Sequence, residues 1–263
     1  MQTIKIQCPA KINLNLKITG KLENGFHAIK SVMQTISLYD YLTINVEDNN
    51  KNEIILSGNT REIPYDENNL VYKAVKLFFE STGIQNKKIN IYIEKNIPIA
   101  AGMAGGSTDG AGVLYGMNKI FSCLNKENLN QMCAKLGSDL NVCLYGGRIL
   151  AQGRGEIITP LEFEEFNLSL IKPINLGISA KEAYTKYSKK IKILNNNDKY
   201  LNDLEWALID DYPELQYIKH KYPESIMTGS GSTYFIISKE FEQEDNYWIS
   251  NNLKAISYGV KEI

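Results

Sequence analysis

Apolar and polar positions alternate along residues 3–18, TIKIQCPAKINLNLKI, with a break at the proline, and predict strand, interruption, strand. The same two-residue period returns in LTINVED, residues 42–48, and in INIYIEK, residues 89–95. Between them NLVYKAVKLFFESTG changes to a helical period that sets Leu70, Ala74, Leu77 and Phe78 on one face and stops at Gly83. Helical patterns follow over 111–121 and 125–137, and GGRILAQGRGEIITPL, residues 146–161, reads as short strands and turns. Beyond Pro160 the pattern predicts strands at 166–173 and 233–238 and helices at 179–187, 201–209 and 213–221. A helix near 241–253 and a strand near 255–261 finish the chain. Strands and helices mix without internal repeats, which predicts an α+β protein of two lobes, residues 1–160 and 161–263.

Composition narrows the class of partner. The chain has 263 residues, of which 43% are hydrophobic and 22% charged, the balance of a soluble globular protein. No run approaches the roughly 18 consecutive apolar residues of a membrane span. Lysines interrupt the N-terminal MQTIKIQCPAKINL, so no signal peptide is expected and the reading is cytoplasmic. A net charge of −1 provides no global field for a polyanion, and the only arginines are Arg61, Arg148 and Arg154. A small molecule is therefore the expected partner, not nucleic acid or a membrane. Cys8, Cys123, Cys133 and Cys143 show no C-x-x-C spacing, which argues against zinc. Cys123, Cys133 and Cys143 lie in apolar stretches and are expected to be reduced, mostly buried thiols.

The stretch PIAAGMAGGSTDGAG, Pro98 to Gly112, breaks the pattern with five glycines in fifteen residues. Each weakens regular structure by roughly 0.5–1 kcal/mol relative to alanine, a cost tolerated where backbone must bend or approach a ligand. It satisfies neither the Walker pattern nor the dinucleotide fingerprint. A strand, a glycine turn and a helix opening at Ser107-Thr108-Asp109 nevertheless supply the parts of an anion site. The alternative is a flexible loop with an ordinary Ser/Thr/Asp cap.

Two further fragments join it. PAKINLNL (Pro9 to Leu16), PIAAGMAGGSTDGA and TGSGSTYF (Thr228 to Phe235) resemble, in order, the three motifs of the GHMP kinases. Within that superfamily GKLENGFHAIKSVMQTISLYDYL, ENNLVYKAVKLF, LGSDLNVCLYGGRILAQGRGEIITPL and NDLEWALIDDYPEL resemble the 4-diphosphocytidyl-2-C-methyl-D-erythritol kinases over nearly the whole chain. The resemblance implies transfer of the γ-phosphoryl of ATP, with Mg2+, to the 2-hydroxyl of a cytidyl-linked methylerythritol in the non-mevalonate isoprenoid pathway. Other readings are another GHMP small-molecule kinase, or a noncatalytic nucleotide-binding paralogue.

Matched residue by residue, the family's base corresponds to Asp139 and its partner lysine to Lys11. By position alone Asp139 reads as a helix N-terminal acid and Lys11 as a solvated strand lysine. Pro98, Ile99, Ala100, Ala101, Gly102, Met103, Ala104, Gly105, Gly106, Ser107 and Thr108 would wrap the triphosphate, with Ser107 or Thr108 beside the metal. Asn69 would lie near adenine or simply cap a helix, and Lys95 would flank the nucleotide or be exposed. Asn13 would support the substrate hydroxyls, or be a polar strand position. Phe26 and Tyr184 would sandwich cytosine while His27 bonds its edge. Without the resemblance the two aromatics read as core and the histidine as a turn residue.

The sequence departs from the family pattern at Ala104 for glycine, Thr108 for serine, Gly110 for alanine, and Asn141 and Ser232 for proline. It is also shortened between Pro213 and Thr228. The resemblance implies an N-terminal lobe like a ribosomal-protein domain with a left-handed βαβ unit, a ferredoxin-like C-terminal lobe and substrates in the cleft between them. A monomer or weak homodimer is expected.

Overall fold

A computed structural model of the chain describes residues 1–23, 25–193 and 199–263. Strand β1 (Gln2–Asn13) alternates until a bulge between Pro9 and Lys11 shifts its register, and Cys8 through Asn13 are all buried. Bulges re-aim side chains, and here Lys11 and Asn13 turn inward. After β2 (Lys17–Lys21), strand β3 (His27–Asp48) runs antiparallel to both and serves as the spine of the larger sheet. β4 (Glu53–Gly58), α1 (Leu70–Thr82) and β5 (Lys87–Glu94) form a βαβ unit, β4 and β5 pairing in parallel and β5 adding to β3. The buried stripe of α1 is Val71, Ala74, Val75, Phe78 and Phe79; Leu70 and Leu77 lie half-buried at its margins.

Helices α2 (Gly105–Phe121), α3 (Lys126–Leu136) and α4 (Leu140–Tyr145) follow, and β6 (Arg148–Gly153) with β7 (Ile157–Pro160) extends the sheet from β3. Helix α2 begins two residues ahead of Ser107, with Ala104 at its cap and no side-chain capping bond, which removes the Ser/Thr/Asp cap reading. It lies very close to the sheet. A Cβ on Gly112 would fall 2.4 Å from the Cys8 sulfur, and one on Gly116 2.6 Å from Ile44 Cδ1. Cys8, Cys133 and Cys143 are buried, but Cys123, just past the helix C-terminus, is exposed, contrary to expectation. All four are free thiols.

The second lobe contains β8 (Asn167–Pro173), α5 (Ala180–Lys190), α6 (Asp203–Leu208), α7 (Pro213–Lys221), β9 (Ile226–Met227), β10 (Tyr234–Ile237) and β11 (Tyr247–Lys254). Its antiparallel sheet has the order β11-β8-β10-β9, the 4-1-3-2 order of a ferredoxin-like sheet. Among the described residues three α-helices and a 3-10 turn, Ile209–Asp211, lie in the first crossover, whereas residues 238–246, the second, contain no helix. The helix expected near 241–253 is strand β11 instead. A register shift between Ser250 and Leu253, with Asn252 at φ 63°, breaks the two-residue period and disguises the strand. The strand expected at 255–261 shrinks to β12 (Lys261–Glu262), which returns to pair with β1 in the first lobe's sheet.

The lobes meet along an apolar seam. Ala10, Ile12, Ile36, Ile97, Ala101 and Met103 from the first pack against Leu168, Leu170, Phe235 and Leu253 from the second. Among the described residues no helix is long and apolar enough to cross a membrane.

The α2 contact gives a stability test. Gly112→Val forces a branched side chain against Cys8, and overpacking of this kind costs about 1–3 kcal/mol. A urea titration should show that loss, while Gly106→Ala, which meets nothing within 4 Å, should leave the midpoint close to the parent's.

Candidate active site

A cleft of about 590 Å³ opens between the lobes, lined by Lys11, Asn13, Asn69, Lys95, residues 98–107, Asp139, Arg154, Tyr184, Gly229 and Ser230, among others. The bulge in β1 places Lys11 at its floor, only 3% exposed. The lysine Nζ donates to Asn13 Oδ1 at 2.7 Å and to the Gly102 carbonyl at 3.2 Å, and it lies 3.4 Å from Asp139 Oδ2. Asp139 occupies the cap position of α4, yet its side chain makes no capping bond and stays 29% exposed. Its carboxylate is thus held by a buried ammonium on one side and open to the cleft on the other. Asn13 Nδ2 donates to Ser31 Oγ at 2.8 Å, which orients the amide oxygen toward Lys11.

The glycine stretch packs against the third motif, backbone to backbone. A Cβ on Gly102, at φ +74°, would come within 2.2 Å of the Thr228 carbonyl oxygen; one on Gly229 would come within 2.5 Å of the Gly102 carbonyl oxygen. Ala101 and Met103 are buried in the seam, so the loop is anchored by apolar side chains while its backbone lines the cleft. Ala104 holds a left-handed conformation at φ 60°, at a cost of roughly 1–2 kcal/mol for a residue with a Cβ. The first turn of α2, from Gly105 to Ser107, opens uncapped onto the cleft. Thr108 is fully buried with its hydroxyl against the Cys143 thiol, so of the two hydroxyls considered only Ser107 faces the cleft.

Lys95 is neither exposed nor free to leave its place. Its ammonium bridges Asp40 and Asp109, the latter at 2.9 Å. Asp40 also accepts the backbone N–H groups of Asn96 and Ile97 at 2.6 and 2.8 Å. This buried cluster ties β3 and the exit of β5 to the first turns of α2. Burial works to lower the Lys95 pKa, but Asp109 and Asp40 outweigh it and raise it. Burial pushes the Asp109 carboxyl up to about 7, with Lys95 opposing the rise and Asp40 adding to it. Asp109 Oδ1 has no hydrogen-bond partner in the structure. Asn69 caps α1 through Val71 N and donates to the Pro64 carbonyl at 2.6 Å, so both ends of its amide are engaged at the cleft wall.

The aromatic group is arranged differently from the expected sandwich. The ring stacked on Tyr184 is His27, with centroids 5.0 Å apart and planes at 17°, and His27 Nε2 lies 2.8 Å from Ser188 Oγ. Burial, then Lys21, lowers the His27 pKa. Phe26 is 56% exposed with the Arg154 guanidinium 5.5 Å from its ring centroid. Sequence reasoning missed Arg154, although GRGE directly after a strand was a visible signal. The pairings of Asp40, Asp109 and Thr228 are not legible in the sequence, since they join residues 55, 14 and 215 positions apart. Asn141 is buried, and its side-chain nitrogen lies 3.4 Å from the Glu156 carbonyl.

Residues 69–147 match the family model for the GHMP kinases N terminal domain. The chain is 41% identical over 256 residues to a 4-diphosphocytidyl-2-C-methyl-D-erythritol kinase of Clostridium tetani (strain Massachusetts / E88), covering 88% of this chain and 90% of the relative. It is 40% identical over 256 residues to the kinase of the same name from Clostridium perfringens (strain SM101 / Type A), with 88% of each covered. A crystal structure of 4-(cytidine 5'-diphospho)-2C-methyl-D-erythritol kinase superposes with a TM-score of 0.75 at 24% identity, covering 96% of this chain and 99% of that one, and shows the shared fold.

The buried cluster predicts a pH effect on stability. Because the Asp109 carboxyl rises from 3.8 to about 7 on folding, the folded chain binds more protons across that window. Stability from this group therefore falls as pH rises through it. Asp109→Asn removes the titration, so the variant should gain on the parent between about pH 4 and 7, by on the order of 1 kcal/mol or more, in urea midpoints measured across the range. A difference that stays flat with pH would assign the proton elsewhere.

Proposed function

The chain belongs to the 4-diphosphocytidyl-2-C-methyl-D-erythritol kinase family, and we propose that its cleft transfers the γ-phosphoryl of ATP to the 2-hydroxyl of 4-diphosphocytidyl-2-C-methyl-D-erythritol, a step of non-mevalonate isoprenoid synthesis. The observation that carries this reading is the Lys11–Asp139 pair at 3.4 Å, set on the cleft floor beside an uncapped helix N-terminus. A tertiary alcohol is a hindered, weakly acidic nucleophile, so positioning and charge stabilisation must supply much of the rate. Asp139 accepts the hydroxyl proton. Lys11, 3.4 Å from the carboxylate, holds Asp139 in place and faces the charge that develops on the transferred group.

The triphosphate lies along Pro98 to Ser107, where left-handed turns and the first turn of α2 present backbone N–H groups. Ser107, whose hydroxyl faces the cleft, would be the protein oxygen offered to Mg2+. Among the described residues no group of three or more His, Cys, Asp or Glu could hold a metal alone. When bound, the ion would neutralise phosphate charge. Lys95, committed to two carboxylates, acts by holding the cradle, and Asn69 shapes the wall beside adenine. Cytosine lies at Phe26, His27 and Tyr184, the His27 ring leaving the face of Tyr184 to admit it. Arg154, over Phe26 and lining the cleft, brings a cation for the diphosphate bridge. Asn13 supports the substrate hydroxyls. Four unpaired thiols suit a reducing cytoplasm.

A coupled ADP-release assay with the cytidyl substrate, alongside homoserine and mevalonate, tests the assignment; equal turnover of the three would end it. Asp139→Asn should lower kcat by about 10²–10⁴-fold while calorimetry shows ATP binding retained. Phe26→Ala should weaken the cytidyl substrate by the roughly 1–3 kcal/mol of base stacking and leave the KM for ATP unchanged. His27→Ala should instead narrow the preference for CDP- over UDP-linked analogues. If neither variant alters substrate affinity or base preference, these residues do not form the base site.

A further inference from the structure

The third motif contributes one side chain to the Lys11 environment. Thr228 is fully buried, 215 residues away from Asn13 in the chain, and its Oγ1 accepts the Asn13 backbone N–H at 2.9 Å. The same hydroxyl lies 3.4 Å from Asn13 Oδ1 and 3.4 Å from the Gly102 carbonyl oxygen. Those two oxygens are also the acceptors of the Lys11 ammonium. The hydroxyl and the ammonium therefore share both acceptors, and wherever Thr228 sets Asn13 and Gly102, Lys11 must follow.

Thr228 is itself held from behind. The Asn202 amide nitrogen donates to the Met227 carbonyl at 2.7 Å and to the Gly229 carbonyl at 2.9 Å, the residues on either side of Thr228. Asn202 Oδ1 accepts Leu204 N at 2.9 Å, so both ends of the amide are engaged and its orientation is determined. Asn202 is fully buried. Its neighbours in NDLE extend the clasp: Asp203 Oδ2 accepts Ile18 N at 2.7 Å, and Glu205 Oε2 accepts Met227 N at 3.2 Å. The motif thus grips the third-motif loop from one side and the strand following Lys11 from the other.

We infer that Thr228, fixed by Asn202, is the positioning residue that sets the Lys11 ammonium against Asp139, rather than a group that touches either substrate. The inference rests on the proposed catalytic role of Lys11. Thr228→Val keeps the shape, removes the hydroxyl and leaves the buried Asn13 N–H unpaired, whereas Thr228→Ser keeps the hydroxyl. Misplacing a catalytic group costs rate rather than substrate binding.

The full chain is assayed with ATP and the cytidyl substrate. Thr228→Val should lower kcat at least about 10-fold with both KM values within about 3-fold, and Thr228→Ser should stay within about 3-fold of the parent. Asn202→Ala should lower kcat in the same way. The double variant should lose no more than the worse single, because the two side chains act in series. If the valine variant does not fold, Thr228→Ala against Thr228→Ser makes the same comparison. An unchanged kcat in Thr228→Val, a loss equal in the serine variant, or independent losses that multiply in the double variant would each overturn the inference. Lys11→Ala separates the two claims. Retained turnover there defeats the catalytic reading of Lys11, whereas an inactive Lys11→Ala beside an unaffected Thr228→Val defeats the positioning role alone.

Discussion

Gly102 and Gly229 press their backbones together in a space that admits no side chain on either. The cleft takes its form from this contact. It brings the glycine stretch of one lobe against the third motif of the other, and the apolar seam around Ala101, Met103, Leu170 and Phe235 makes that approach favourable. Because the loop's buried side chains face the seam, its backbone is left to face the cavity. The polar node of Lys11, Asn13, Gly102 and Thr228 shares Gly102 with this contact and joins three segments remote in sequence.

Two lysines, one on β1 and one just past the end of β5, show how burial and pairing divide labour. Lys95 is enclosed with two carboxylates. Lys11 is equally buried, yet it faces a single carboxylate that remains partly open to the cleft. Breaking either pair would leave a charge stranded at low dielectric, a cost of several kcal/mol. In Lys95 that cost enforces geometry around the first turns of α2. In Lys11 it keeps a carboxylate and a cation adjacent without closing them off. A net charge of −1 says nothing about this local field.

Local periodicity made most of the elements legible, from the alternation of β5 to the capped helix α3, and the ordered motifs pointed to the cleft. Non-local contacts account for the failures. β11 reads as a helix because the register shift at Asn252 breaks its alternation, and pairing with β8 makes it a strand. The apolar face of α1 was placed partly on Leu70 and Leu77 because both positions obey the helical period, while the sheet selects the Val71–Val75 side. Ser107 and Thr108 were indistinguishable as hydroxyls in sequence, and only the packing of α2 against Cys143 separates them. Asp40 carries no local signal and Thr228 only its place at the start of the third motif, since each takes its meaning from a partner more than fifty residues away.

The pairing of β12 with β1 has a consequence for how the molecule acquires its working form. Glu262 lies opposite Ile6 in the same sheet, and the Lys11 environment needs residues near positions 102, 139 and 228 at once. Contacts of such long range are formed late, after most of the loop-closure entropy has been met. Helical signal and hydrophobic collapse will therefore return early in refolding, while catalytic competence waits for the final long-range closure. Recovered activity is then a sensitive gauge of complete folding.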